Sequence, residues 1–138
     1  MVYPEVVPIT VRRNADYGAT WVLADGQGYD ATGTAINPLD LTGYTAALQV
    51  RLYGLAAGDP LIDLGTVTTA IEGIRFVEPT AGQIEMRIDH ETHDALPTSP
   101  KAGEPARFEY DLVLIAPDGT RSVYATGPFI VHPGVTRP

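Results

Sequence analysis

Asp40-Leu41-Thr42-Gly43-Tyr44-Thr45-Ala46-Ala47-Leu48-Gln49-Val50-Arg51 runs from a polar turn straight into period-two alternation, and that pattern decides the fold class. Tyr44, Ala46, Leu48, Val50 and Leu52 fall on one face, with Thr45, Gln49 and Arg51 on the other, as expected of a strand with one buried and one wet side. Residues 107–116 repeat the pattern. Phe108, Tyr110, Leu112 and Leu114 line an apolar face there, and Glu109 and Asp111 lie opposite.

Outward from these two strands, 14 glycines and 12 prolines chop the rest of the chain into short runs. Residues 6–13 read as a first strand, with Pro8 placing it at an edge or a strand start because proline cannot donate to a ladder. Residues 19–23 follow, Trp21 and Leu23 sharing a face, and stop at the turn Asp25-Gly26-Gln27-Gly28. After a loop over 29–43 and the strand over 44–53 comes a short strand at 61–64. Ile74 and Phe76 then pair with Ile84, Met86 and Ile88 in the clearest hairpin, turned by residues 78–82, with Gly73 as a bulge or turn. The turn Pro117-Asp118-Gly119-Thr120 leads into strands at 121–126 and 128–132. A single short helix is expected over 90–96, capped by Asp89 and stopped by Pro97, followed by an exposed loop over 97–105. The expectation is an all-β chain, an antiparallel β-sandwich, Ig-like or jelly-roll-like, of about seven to nine short strands. It forms one domain over 1–138, with 1–8 and 133–138 as extended arms.

Seventeen acidic residues against nine basic ones give a formal charge of −8. That balance repels phosphate backbones and anionic headgroups, so neither nucleic acid nor membrane is an expected partner. With no cysteine, a disulfide framework and a thiolate metal site are excluded. The N-terminal residues lack a basic region followed by a long apolar one, and no stretch reaches the ~20 apolar residues of a membrane span.

Reactive constellations are sparse. His90-Glu91-Thr92-His93-Asp94 places two histidines on one helix face, yet it is not HExxH and lacks an evident third ligand unless the fold brings in His132. The expectation is no metal and no cofactor, with His90 and His93 the sole candidates. Ser99 and Ser122 sit in no nucleophile elbow. Glu109 and Asp111 project together from the wet face of an amphipathic strand, and Asp25, Asp30 and Asp40 lack the spacing of a calcium loop. No enzyme is expected. Trp21, Tyr44 and Tyr110 belong to apolar registers, leaving Tyr3, Tyr17, Tyr29, Tyr53 and Tyr124 as surface aromatics.

The chain carries Asp40-Leu41-Thr42-Gly43-Tyr44, Tyr110-Asp111-Leu112, Asp118-Gly119, Gly127 and Val135-Thr136 in that order. This series resembles a small β-domain of tailed-bacteriophage structural proteins found in baseplates and tail fibres. Relatives of that kind often show Arg-Gly-Asp-Thr near the first strand, where this chain has Arg13-Asn14-Ala15-Asp16-Tyr17. The resemblance implies a non-enzymatic virion component, made in the host cytoplasm and acting in a tail, baseplate or fibre attachment through contacts with other virion proteins and with copies of itself. A capsid decoration or head-to-tail connector protein is the alternative of the same class, and an adhesin binding a host glycan the alternative of another. Val2, Tyr3, Val6, Val7, Val135, Thr136 and Arg137 are the expected contact residues, since apolar arms interrupted by proline seek cover outside their own sheet.

Overall fold

A computed structural model of the chain describes residues 5–24 and 38–136. Its elements are β1 (Glu5–Val6), β2 (Ile9–Arg12), β3 (Tyr17–Val22), β4 (Thr45–Arg51), β5 (Ile62–Leu64), β6 (Gly73–Glu78), β7 (Gln83–Ile88), α1 (His90–Asp94), β8 (Ala106–Ile115) and β9 (Arg121–His132), with a 3-10 turn over Pro79–Ala81. The chain is mostly β and forms two sheets. One has six strands in the order β1-β9-β8-β4-β5, with β2 also on β9; the other has three, β3-β7-β6. The turn at Asp25-Gly26-Gln27-Gly28, Tyr29 and most of the expected loop lie outside the described residues.

The two alternating stretches pair with each other. Leu48 lies opposite Leu112 and Val50 opposite Tyr110, all buried, while Gln49 opposes Asp111 and Arg51 opposes Glu109 on the other face. Leu52 departs from the expected register: β4 ends at Arg51, and Leu52 is exposed. In the hairpin Ile74 faces Met86 and Phe76 faces Ile84. One apolar cluster takes residues from both sheets, including Ile84, Met86 and Ile88 from β7 and Leu48, Leu112 and Phe129 from the larger sheet. Trp21, Tyr17 and Tyr44 pack half-buried against it.

The sheet is not wholly antiparallel, because β1 and β2 both run parallel to β9. The first expected strand is split at Val7-Pro8, where proline offers no N–H to the ladder. β1 then lies beside Ala125–Thr126 and β2 beside Phe129–His132. Gly127 (φ +152°) makes this passage possible, since a Cβ there would sit 2.8 Å from the Val7 carbonyl oxygen. The last two expected strands are one strand of twelve residues. A register shift of β9 against β8 makes Tyr124 the extra residue, and Tyr124 is buried. Its hydroxyl accepts from the Ala24 N–H (2.9 Å) and donates to the Ala24 carbonyl (3.1 Å), so Tyr124 ties β9 to the segment just past β3 and is not a surface aromatic.

The residues that carry the phage resemblance build two turns that touch. Asp40 accepts from the Thr42 N–H and hydroxyl, which holds its carboxyl below the ordinary value. Asp118 does the same through the Thr120 N–H. Leu41 is buried, and Gly43 (φ +79°) faces Pro117 so closely that a Cβ would stand 2.8 Å from the ring. Leu112 is core, and Tyr110 anchors the link between β1 and β2 by donating from its hydroxyl to the Val7 carbonyl.

Candidate functional site

The histidine cluster is a joint between α1 and the turn joining β2 to β3. His93 is fully buried, and its Nε2 lies 2.8 Å from both the Arg12 and the Ala15 carbonyl oxygens. Carbonyls only accept, so Nε2 carries the hydrogen and the ring ties both ends of the turn. Asn14 takes φ +70° within that turn, a left-handed conformation asparagine tolerates. Its N–H donates to Asp94 Oδ1 (2.9 Å), and its side chain donates to the Thr136 carbonyl (2.8 Å). Asn14 thus both adopts the left-handed conformation and uses its side chain to hold the C-terminal segment.

Both ends of α1 are satisfied from elsewhere in the chain. Asp89 makes no side-chain cap bond; a helix start needs acceptors for its free N–H groups, and two distant carboxylates supply them. Asp16 accepts from the His90 N–H (2.8 Å), and Glu72 accepts from the Asp89 N–H and the Thr92 hydroxyl (2.7 Å each). Arg13 closes the other end by donating to the carbonyls of Asp94, Leu96 and Pro97. His90 meanwhile faces Asp16 through Nδ1 (2.8 Å). The two candidate ligands are therefore engaged separately. Among the described residues no three His, Cys, Asp or Glu side chains converge as a metal set, so His132 does not complete one.

The hydrogen bond from His90 to Asp16 raises the imidazole pKa above its ordinary 6.5, and the bond from the His90 N–H, then that from its ring, lowers the Asp16 carboxyl below its ordinary 3.8. The His90 contribution to stability is therefore full below 6.5 and lost as pH rises through the raised value. The Asp16 contribution is full above 3.8 and lost as pH falls through the lowered one. The pair acts in the mildly acidic window between the two. Asp16→Asn should move the NMR titration midpoint of His90 down towards 6.5; an unchanged midpoint would show that the carboxylate does not hold the ring.

The expected arm residues divide. Val2, Tyr3 and Arg137 lie outside the described residues. Val7 is half-buried against the core and donates its N–H to the Thr126 carbonyl (2.9 Å), so the N-terminal arm does not extend to residue 8. Val6 sits on β1 but keeps its side chain exposed, as Val135 does, and Thr136 is held by Asn14.

The outward face of the six-stranded sheet is open. Its positions are half-exposed or exposed, among them Thr45, Ala47, Gln49 and Arg51 on β4; Asp63 on β5; Arg107, Glu109, Asp111, Val113 and Ile115 on β8; Arg121, Val123, Thr126, Pro128 and Ile130 on β9. Val6 joins it beside Thr126. At one end the loop between β4 and β5 walls a hollow of about 690 Å³ whose floor carries Gln49, Glu109, Asp111 and Thr126. A second hollow of about 530 Å³ lies between the joint and the loop over 97–105. Arg13 borders it, with its guanidinium committed to backbone carbonyls.

Sequence reasoning missed Leu55, which is fully exposed at φ +63°. A leucine beside Gly54 in a loop gives no signal of that backbone conformation. No protein-family model matches this chain, and no curated protein matches it. No helix among the described residues is long and apolar enough to cross a membrane.

Proposed function

We propose that this chain is a non-enzymatic structural domain of a tailed-bacteriophage virion, an immunoglobulin-like β-sandwich working in the tail, baseplate or fibre attachment by protein–protein contacts. The sandwich reading is supported by strand order. One sheet runs β5-β4-β8-β9 with β2 parallel on its edge, the other β3-β7-β6, and the two share one apolar cluster. The phage reading is supported by the turn and strand motifs from Asp40 to Thr136.

The observation that carries the interface reading is the open face with its valines. Val6 and Val123 are exposed and Val113 half-exposed between charged rows, an arrangement fitted to a neighbouring subunit that covers the face. The partners are other virion proteins and copies of this chain, and the place of action is the assembled particle. Mass spectrometry of gradient-purified particles of the encoding phage should detect the chain as a stoichiometric component. Complementation with Val123→Lys should yield folded protein that fails to enter particles. Absence of the chain from purified particles would overturn the reading.

A further inference from the structure

We propose that the loop between β4 and β5, with the hollow beside it, docks a segment of a partner protein that presents a lysine or arginine next to an aliphatic recess. The inference rests on the assembly reading above and names the chemistry of one contact on the open face.

Leu55 is the first observation. A γ-branched residue at φ +63° is strained where glycine or asparagine would sit freely, and a fully exposed side chain gives the fold nothing in return. Leu52 and Tyr53 beside it are exposed too. The loop that shows them is held in place. Arg51 donates from Nη1 to the carbonyls of Ala56 (3.1 Å) and Gly58 (2.7 Å) and from Nη2 to Gln49 Oε1 (3.2 Å). The Ala56 N–H donates to the Tyr53 carbonyl, and the Leu61 N–H to the Val50 carbonyl, closing the base. A display fixed before binding loses less conformational freedom on association.

Charge then selects the occupant. The guanidinium of Arg51 donates to the loop's carbonyls and to Gln49 and pairs with neither carboxylate. Glu109 meets Arg107 only at 3.9 Å with both side chains well exposed, and Asp111 forms no ion pair with the described residues. The hollow's lining carries two carboxylates against the single guanidinium of Arg51 and is net negative beside an apolar knob, complementary to a cationic side chain with aliphatic neighbours. A second copy of a chain with a formal charge of −8 would bring like charge to like, and phosphate is repelled for the same reason.

The test is an NMR titration of the full 15N-labelled chain with two synthetic peptides, acetyl-Leu-Arg-Val-Arg-amide and acetyl-Leu-Glu-Val-Glu-amide. The basic peptide should shift the amides of Gln49, Tyr53, Leu55, Glu109, Asp111 and Thr126. The acidic peptide, and the basic one on a Glu109→Gln, Asp111→Asn chain, should bind at least about tenfold more weakly. Leu55→Asn should keep the wild-type spectrum and a urea midpoint no lower than wild type, yet bind the basic peptide more weakly. Equal response to both peptides, no response to either, or shifts elsewhere on the sheet would overturn the proposal. So would concentration-dependent shifts of the chain alone, which would mark a second copy, or the same amides responding to maltotriose and not to the basic peptide, which would mark a glycan. Loss of peptide binding with the chain still present in particles removes this contact and leaves the virion reading standing. Peptide binding by a chain absent from particles removes the virion reading alone.

Discussion

Phe129→Ala is expected to lose about 3–5 kcal/mol of unfolding free energy, a large part of the ~5–15 kcal/mol that holds a domain of this size together. Phe129 is fully buried on β9, opposite Phe108 across the ladder to β8 and opposite Ile9 across the parallel ladder to β2. Backbone hydrogen bonds on both sides hold the strand, so the neighbours cannot collapse into the space a truncated ring leaves. Transfer and cavity terms then add with little relief. Ile130 is the internal control, because it projects from the same strand to the half-exposed outward face, and Ile130→Ala should cost far less, about 1 kcal/mol or below. Urea unfolding of the two variants decides. Similar losses for both would mean that β9 does not present Phe129 to the core as its register places it.

Local alternation made part of this fold legible and geometry across distance hid the rest. Leu48, Val50, Phe108, Tyr110 and Leu112 are core because a strand's side chains alternate whatever its partner, so their burial follows from the sequence around each. The parallel pairing of β1 and β2 joins opposite ends of the chain and depends on Gly127 letting Val7 pass, a contact without a local signal. Gly127-Pro128 reads locally as a break between two strands. In the structure that glycine serves the crossing backbone, and β9 continues through it. Tyr124 escapes a sequence reading for a related reason, since one extra residue on β9 moves its side chain off the face that strict alternation assigns.

The candidate site was legible in its residues and not in their roles. His90 and His93 stood out because histidines three apart share a helix face. What they meet comes from the far side of the sequence: Arg12, Ala15 and Asp16 approach from a turn nearly eighty residues earlier. Asp89 is likewise a sensible local cap, displaced by the carboxylates of Asp16 and Glu72. The outward-facing Gln49, Arg51, Glu109 and Asp111 were readable as one wet face. That Arg51 turns back to clamp a loop and makes no ion pair with the two carboxylates emerges only from three-dimensional contacts.

His93→Ala is expected to cost about 3–5 kcal/mol, far beyond the usual effect of losing a polar residue from a short helix. Removing the ring opens a cavity at a fully buried position and strips the carbonyls of Arg12 and Ala15 of their shared donor. Both hydrogen bonds are part-buried, so their loss adds to the packing term by about 1–3 kcal/mol at most. Two further variants separate the contributions. His93→Leu refills most of the space without a donor and should stay nearer to alanine, whereas His93→Gln keeps an N–H within reach of the carbonyls and should recover part of the loss. Amide exchange gives a local readout: the Asn14 N–H, bonded to Asp94 in the turn that His93 ties down, should lose protection in the Ala and Leu variants. A His93→Leu chain as stable and as well protected as wild type would show that filling this space is enough. The turn with Asn14 in its left-handed conformation would then be held by Arg13, Asn14 and Asp16 alone.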